Sequence, residues 1–522
     1  MESVLGATPR EFESRILRHA RRPPEVAISR SELGAANPTS HARDGRLTAP
    51  SSAKAGTWGA LGGGCLAVAA AALGVTALLG PSAAEAPLGQ HDDGATPPLH
   101  LSAHPPAWLV TTLLAVAVVA GTIAVVTVLT HRWRPPARRL CLAGLAVAAG
   151  LALLPPVASA DPLSYASYGH MVTTGHDPWT TTPHQLAGHD PVAAAVEPPW
   201  QDEPAVYGPL AAGEQAVASS IAGDDVALTV WLLDILGTAT FILVGWLLVR
   251  GARDEPTRLR RAALWAANPL LWLQLVAGAH LDVAVAALAL GAVTVGRRRP
   301  AAGSALAGAA ALVKPPGGLA WAGLAWTARR DPRRLAVLVA AAAVVVVPAY
   351  AIAGRGVVRE LSRASRRVSH GTPWRPIVTW THLDRSVVGA LALLLALALV
   401  TLLLRRADRD DPATVAAAAA LAYVLAAPYA LPWYDALPWA LLLVIAASWW
   451  DWLLLAHTTV LSLAYLPGRD AVPLHGALAS LTHAMRNDVA PVVLALLLVA
   501  VAASGLNAQR SSAASARSQP SL

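Results

Sequence analysis

The amino-acid sequence predicts an all-α protein that crosses a membrane many times. Hydrophobic residues make up 55% of the 522 residues, charged residues only 14%, and the mean hydropathy is +0.48. The apolar residues are bunched into runs near the roughly 20 residues that a helix needs to cross a 30 Å hydrocarbon core. A soluble protein of this composition would expose large apolar patches, so the two observations together predict a polytopic bundle of transmembrane helices.

The predicted bundle occupies residues 56–507. Its apolar stretches are 57–80, 107–130, 138–157, 226–249, 262–278, 281–296, 301–313 with 317–328, 335–353, 386–404, 412–430, 436–450, 452–466 and 489–506. Several are shorter than a full crossing, so we predict about 12 to 14 helices rather than a fixed number.

Two polar tails flank the predicted bundle. Residues 1–55 mix nine Lys/Arg with six Asp/Glu and show no sustained apolar period, which predicts a disordered cytoplasmic tail. We do not expect a cleavable signal peptide, because the first long apolar run begins only near Trp58. Residues 508–522 are expected to form a second cytoplasmic tail.

Charge distribution predicts the orientation of the chain. The net charge of +8 comes from short arginine clusters between apolar runs, which is typical of cytoplasmic loops and argues against nucleic-acid binding. In contrast, the segment 158–225 contains no Lys or Arg but nine acidic residues and four histidines, so we expect it outside. Segment 354–385 follows an outward crossing yet carries seven arginines. Either the assignment of sides slips by one crossing there, or this basic loop faces an anionic ligand.

Asp161 is the first candidate catalytic residue. It directly follows the apolar run that ends VASA, which places a carboxylate at the membrane–water boundary. A base at that depth can reach a donor whose lipid tail lies in the bilayer and whose sugar projects outward. Inverting glycosyl transfer needs one such base to accept the proton of the attacking hydroxyl. The alternative is a helix cap, because Asp before Pro commonly starts a helix.

Further candidates follow in the same polar segment and near its flanks. Asp177, Trp179 and Tyr207 combine a carboxylate with aromatic rings that suit either sugar faces or interfacial anchoring. The four histidines near Asp177 and Asp190 are also compatible with a divalent cation, although their spacing matches no standard ligand pattern. We therefore predict no metal and no other cofactor.

Charged groups within the apolar runs are the second set of candidates, because ionisable groups at membrane depth usually mark ligand sites or pathways. His280 and Asp282 fall at a tight turn between two apolar runs, and Lys314 precedes a Pro-Pro-Gly-Gly break. Lys314 suits a lipid phosphate, with snorkelling to the interface as the alternative. The connection PYALPWYDALPW adds Trp433, Tyr434 and Asp435, which either floor a sugar pocket or anchor the interface.

Taken in order, these motifs resemble one enzyme family. DPLSYASYGHM, GHDPW and VYGPL, followed by NPLLWLQLVAGAHLD, ALVKPP, TPWRP and ALPWYDALPW, are similar to the actinobacterial polyprenol-phosphomannose-dependent α-1,6-mannosyltransferases of the GT-C superfamily. The resemblance covers roughly residues 58–506. It departs at Leu281, where the family usually has Asn, and at Trp179, where Tyr is more frequent.

The resemblance implies a GT-C-like helical bundle whose long first external loop carries the catalytic carboxylate, here Asp161. It implies a β-linked polyprenyl-phosphate-mannose donor, inversion, and an α-linked product on a mannan or lipid-linked acceptor at the outer face of a bacterial plasma membrane. We assign donor-phosphate binding to Lys314, Arg375 and His280. Sugar or acceptor binding is assigned to a larger set, namely Tyr165, Tyr168, Asp177, Trp179, Tyr207, Asp282, Trp433, Tyr434 and Asp435.

Two alternative functions stay open at the level of sequence. One is a related transferase that uses another polyprenyl-phosphate sugar, such as glucose, galactose or arabinose. The other is a transporter or flippase for lipid-linked sugars. Transporters commonly show a broken helix in each of two repeated halves, whereas this sequence shows one broken hairpin, around Lys314, and no counterpart.

Overall fold

A computed structural model describes residues 52–88 and 97–517 of the chain, and every regular element within these ranges is helical. The predicted all-α class is confirmed. Most of the predicted amino-terminal tail and residues 518–522 lie outside the described ranges. The last helix continues to Arg517, past the predicted end of the bundle at residue 507.

The first half of the chain contains both long apolar helices and short polar ones. In chain order the helices are α1 (Ser52–Leu78), α2 (Ala107–Leu129), α3 (Ala137–Leu151), α4 (Asp161–Thr173), α5 (Pro183–Leu186), α6 (Pro191–Ala194), α7 (Pro209–Ala222), α8 (Val226–Arg250), α9 (Glu255–Arg261), α10 (Pro269–Leu271) and α11 (Asp282–Gly296). Helix α3 stops before Pro155 and Pro156, which explains why the predicted span 138–157 is shortened.

The second half repeats this mixture of long and short helices. Its helices are α12 (Pro300–Val313), α13 (Leu319–Ala328), α14 (Pro332–Ala353), α15 (Arg355–Ala364), α16 (Trp374–Thr381), α17 (Arg385–Leu403), α18 (Pro412–Ala426), α19 (Ala436–Leu442), α20 (Trp450–Ala464), α21 (Gly476–Ala484) and α22 (Ala490–Arg517).

Length and composition separate the helices that can cross a membrane from those that cannot. Six described stretches qualify: Gly56–Leu78, Ala107–Leu129, Val226–Arg250, Pro332–Ala353, Arg385–Leu403 and Gly476–Ser504. The pair Glu255–Ala277 and Asp282–Gly296 meets at 118°, and counting it as one broken span makes seven. Helices α12 and α18 are apolar but shorter. The remaining predicted stretches form short or interrupted helices within the bundle.

Buried polar contacts explain why one predicted span is short. The stretch 436–450 is helical only to Leu442, where the Arg260 guanidinium donates to the carbonyls of Leu442 and Ile445, each at 3.0 Å. The same guanidinium forms two bonds to Asp451, of 2.5 and 2.7 Å. Arg260 therefore satisfies the carbonyls that the broken helix exposes, while Asp451 neutralises its charge.

Helix α18 lies in the core and packs against α13, α17 and α19. Close approach to α13 requires Gly323, because a Cβ atom there would lie 1.9 Å from the Pro412 carbonyl oxygen. At the other end of α18, backbone pairing fixes the basic segment: Ser369 N–H donates to Pro428 O at 3.0 Å, and Ser369 Oγ contacts both Ala430 N and Ala430 O at 3.1 Å.

The acidic and basic segments meet on the same side of the molecule. The Glu203 carboxylate accepts hydrogen bonds from Arg363 and from Arg367, the latter at 2.6 Å. Gly356, at the start of α15, lies against Asp177 and Trp179. Segments 158–225 and 354–385 therefore lie on one face of the molecule, and their placement outside the membrane stays a prediction.

The orientation itself is testable by labelling. Gly188 is exposed with no atoms around the position of a Cβ, so Gly188→Cys should tolerate the side chain. In a chain in which Cys65 and Cys141 are serine, Gly188→Cys should react with an impermeant maleimide in intact cells. The matched control is Arg298→Cys, exposed in a basic connection, which should react only after lysis. The opposite pattern would invert the orientation.

Candidate active site

A large cavity lies beside Asp161. Its volume is about 480 Å³. Its walls come from the start of α4, the loop before α7, the Lys314 break, α15 and the connection between α18 and α19. The polar and aromatic lining residues are Asp161, Ser164, Tyr168, Trp200, Tyr207, Lys314, Ser365, Arg367, Tyr423, Tyr429, Trp433 and Tyr434. Six of the residues assigned by sequence therefore share one cavity.

Asp161 does not cap its helix, although Asp-Pro pairs elsewhere in the chain do. Asp190 accepts from the N–H groups of Val192 and Ala193, at 2.8 and 3.0 Å, and Asp331 accepts from Arg334 N–H at 3.0 Å. The residue that occupies the cap position of α4 is Ala160, whose side chain makes no capping hydrogen bond. The carboxylate of Asp161 is consequently available to the cavity, and the cap interpretation of this residue is wrong.

The surroundings of Asp161 raise its pKa to about 6, mainly because burial disfavours the charged form. Lys314 opposes this shift, and the Tyr165 hydroxyl donates to Asp161 Oδ2 across 3.4 Å. The side chain keeps 14% of its surface exposed, so it still reaches the cavity. A carboxyl group that ionises near neutral pH can accept a proton efficiently in a transition state.

His280 lies beneath Asp161 and does not line the large cavity. Its Nδ1 donates to the Gln274 carbonyl, which leaves Nε2 to accept from Ser159 Oγ at 3.0 Å. Its ring stacks on Trp433 with centroids 3.8 Å apart. Ser159 Oγ in turn accepts from the Asp161 N–H at 3.1 Å. His280 thus holds Ser159 and Trp433 in place around the carboxylate, and its side chain is fully buried.

Lys314 reaches the cavity from the break after α12. Its ammonium bonds both Asp282 oxygens, at 3.0 and 3.1 Å, and lies 3.7 Å from the centre of the Tyr434 ring. Tyr207 lies on its other side at 5.9 Å. An ammonium has three donors, so one remains for a ligand. Asp282 does not line the cavity and instead orients Lys314.

Hydrogen bonds made by Trp179 and Gly208 fix the position of Tyr207. Trp179 Nε1 donates to the Tyr207 carbonyl at 2.8 Å, and Gly208 N–H donates to Val313 O at 3.0 Å. Only glycine fits at 208, because a Cβ would lie 2.2 Å from the Leu312 carbonyl oxygen. The VYGPL motif therefore docks on the end of α12, directly beside Lys314. Trp179 does not line the cavity itself and acts by holding Tyr207 in place.

Arg367 is a cationic lining residue that the sequence did not single out. Its guanidinium pairs with Glu203 and lies 5.4 Å from the Trp200 ring. Arg375, which the sequence assigns to phosphate, lies on α16, and no residue of that helix lines the cavity. The dense run of arginines in this segment was the available signal, but it does not show which one faces inward.

Asp177 and Asp435 lie away from the cavity. Asp177 Oδ1 accepts from Trp179 N–H at 2.8 Å and so stabilises a turn. Asp435 is fully buried and accepts from His457 Nδ1 at 2.9 Å and Thr458 Oγ1 at 2.6 Å. Among residues 52–88 and 97–517, no group of three or more His, Cys, Asp or Glu side chains is arranged to hold a metal ion.

The fold and the cavity define a polytopic helical membrane protein with a buried carboxylate and two cations around one aromatic pocket. A family model described as "Alpha-(1->6)-mannopyranosyltransferase, N-terminal domain" matches residues 56–330, more than half of the chain. The chain belongs to this family.

Relatives with known names agree with this assignment. The chain is 30% identical over 178 residues to Alpha-(1->6)-mannopyranosyltransferase A of Corynebacterium glutamicum, covering 33% of this chain and 35% of the relative. It is 27% identical over 336 residues to Alpha-(1->6)-mannopyranosyltransferase A of Mycobacterium tuberculosis, covering 58% and 64% respectively. Both matches span less than two thirds of the relative. No solved structure matches the chain.

The Lys314–Asp282 pair yields a prediction about stability. Lys314→Met leaves the buried Asp282 charge unpaired, which typically costs about 3–5 kcal/mol, so the unfolding temperature in detergent should fall clearly. The double variant Lys314→Met/Asp282→Leu removes both charges and should recover most of that loss.

Intrinsic tryptophan fluorescence on heating measures the effect, with the exposed Arg298→Met as a charge-matched control. An unfolding temperature of Lys314→Met equal to that of the unaltered protein would show that the pair contributes nothing to folding.

Proposed function

We propose that this protein transfers mannose from polyprenyl-phosphate-mannose to a mannan or lipid-linked acceptor, with inversion, forming an α-1,6 linkage at the outer face of the plasma membrane. The observation that carries the proposal is the shared cavity. It combines one base, Asp161, with two cations, Lys314 and Arg367, and aromatic walls. Family membership supports the choice of mannose and of the linkage.

In the proposed reaction, an acceptor hydroxyl oxygen attacks the anomeric carbon as Asp161 takes the hydroxyl proton. The bond between that carbon and the phosphate oxygen breaks, and its electron pair leaves with the polyprenyl phosphate. Phosphate is already a good leaving group, so no second carboxyl acid is required, in contrast to glycoside hydrolysis. Attack from the face opposite the phosphate converts a β-linked donor into an α-linked product.

The two cations stabilise the negative charge that develops on the departing phosphate. A sugar phosphodiester carries one negative charge, and the departing monoester gains a second. Lys314 keeps one donor free beyond Asp282, and Arg367 can exchange Glu203 for phosphate oxygens in a bidentate contact. Stabilisation that grows as charge develops lowers the barrier rather than merely tightening binding.

The remaining lining residues suit the other parts of the donor. Tyr168, Trp200, Tyr207 and Trp433 offer ring faces for the C–H surface of a sugar. A strip of apolar residues lies on the side of α13, α15 and α18 and suits a polyprenyl chain, namely Pro315, Pro316, Leu319, Leu361, Ala364 and Ala427. The lack of Lys and Arg in segment 158–225 supports an active site that faces outside.

The first test of this function is Asp161→Asn. Because Asp161 caps nothing, its replacement should leave membrane levels unchanged, and loss of the base should lower turnover by roughly 10² to 10⁴. The assay follows radiolabelled mannose from polyprenyl-phosphate-mannose to an α-mannoside, with polyprenyl-phosphate-glucose as the alternative donor.

Asp177→Asn is the matched control. Asn can still accept the hydrogen bond from Trp179 N–H, so its activity should stay near that of the unaltered protein. An active Asp161→Asn together with an inactive Asp177→Asn would transfer the role of base to Asp177. If the unaltered protein prefers polyprenyl-phosphate-glucose, the proposed glycosyl transfer stands, but mannose is not the sugar transferred.

The pKa of Asp161 predicts the pH dependence. Because the ionised form is the base and its pKa is about 6, kcat/KM should fall tenfold per pH unit below about 6 and level off above about 7. Tyr165→Phe removes a hydrogen bond that favours the carboxylate, so the midpoint should move to higher pH. Initial rates between pH 5 and 8 measure both profiles. A flat profile in this range is incompatible with Asp161 as the base.

A further inference from the structure

A second cavity lies against Asp161 on the side away from Lys314. Its volume is about 140 Å³. It shares Asp161, Trp200, Tyr429, Leu431 and Trp433 with the large cavity, so the two spaces meet at the carboxylate. Its other polar lining residues are Ser159, Ser369, His370, Tyr465, Asp470 and Arg486. Neither Lys314 nor Arg367 lines it.

The second cavity adjoins a groove of about 340 Å³. His370, Asp470 and Arg486 line both spaces, and the groove extends from them to Thr482, His483 and Asn487. A path through these two adjoining spaces would lead from Asp161 to the surface between the 466–474 loop and α21. It does not pass the apolar strip that suits the lipid tail of the donor.

The chemistry of this path differs from that of the large cavity. Its charges are compensated within the wall: Arg486 Nη1 bonds Asp470 Oδ1 at 3.1 Å, and the Arg469 guanidinium pairs with Glu197. Two further lining residues, His370 and Asn487, are hydrogen-bonded to each other through His370 Nδ1 and Asn487 Oδ1 at 3.0 Å. Surroundings whose charges are paired with one another, with many donors, acceptors and aromatic rings, suit a neutral polyhydroxylated ligand better than an anion.

The wall of this path is held by backbone pairing and by a cation–π contact. Ser369 is bonded to Pro428 and Ala430, which fixes His370 on one side. On the other side, the Arg486 guanidinium lies 5.1 Å from the Tyr465 ring and donates to Ala464 O at 2.9 Å. The path is therefore built by ordered parts of the chain that enclose it from two directions.

We infer that this path binds the acceptor, a neutral mannose oligosaccharide, with its terminal sugar beside Asp161 and the preceding sugars along the groove to Asp470 and His370. The inference rests on the proposed function for the identity of the sugar. It adds that the acceptor is recognised over several sugars, and that it enters by a route separate from that of the donor.

The test compares a one-sugar and a three-sugar acceptor in the variants Asp470→Asn and His370→Ala. Both residues are exposed, so folding should tolerate the changes. KM for α-1,6-linked mannotriose should rise roughly tenfold, while kcat and the values for methyl α-mannoside change less than twofold. Asp488→Asn is the matched control, because Asp488 is exposed in the same turn as Arg486 but lines neither space.

Calorimetric titration with mannotriose in the absence of donor separates this inference from the proposed function. Binding that weakens about tenfold in Asp470→Asn and His370→Ala, but not in Asp488→Asn, supports the acceptor path whether or not transfer is detected. Failure of the unaltered protein to bind mannotriose, or equal binding by all variants, overturns it. The inference is also overturned if Asp470→Asn and His370→Ala raise KM equally for mannotriose and methyl α-mannoside.

Discussion

The ion pair between Lys314 and Asp282 is the contact on which the site depends. Both residues stand where a helix is interrupted inside an apolar bundle: α12 ends at Val313, and α11 begins at Asp282. Interrupted helices and charges are tolerated at such depth only where the protein itself satisfies them. The pair neutralises both charges, joins the two breaks and holds the ammonium between the Tyr434 and Tyr207 rings. The cation that faces the cavity is therefore also part of the packing.

The sequence was most informative where a residue conflicts with its surroundings. A carboxylate directly after an apolar run indicated Asp161, and charges between apolar runs indicated Lys314, His280 and Asp282; all four lie in or beside the site. The helical class followed from composition, because apolar runs of spanning length have few other solutions. The interruptions that shorten many of these helices did not follow, since they depend on tertiary contacts such as that between Arg260 and the Leu442 carbonyl.

Which arginine faces the cavity could not be predicted for a related reason. The basic segment carries seven arginines of similar local context. Glu203, which lies 164 residues before Arg367, pairs with both Arg363 and Arg367, and of these two only Arg367 lines the cavity. The role of an Asp-Pro pair is likewise not predictable from the two residues alone. The dipeptide caps a helix at Asp190 and Asp331, where the Asp has extended backbone in the cap position, but not at Asp161, which is the first residue of its helix. Local sequence predicts the possible roles of such residues, whereas packing decides between them.

Because the two cavities meet at the Asp161 carboxylate, their arrangement bears on how a glycan could be extended by successive sugars. The large cavity and the second cavity share only five lining residues, namely Asp161, Trp200, Tyr429, Leu431 and Trp433. In the proposed reaction, the spent lipid carrier would leave on its own side without displacing the glycan. A glycan retained in the groove would need to shift outward by one sugar to bring its new end to Asp161. The architecture is thus compatible with repeated additions during a single encounter, in which the strength of binding along the groove sets how many sugars are added before release.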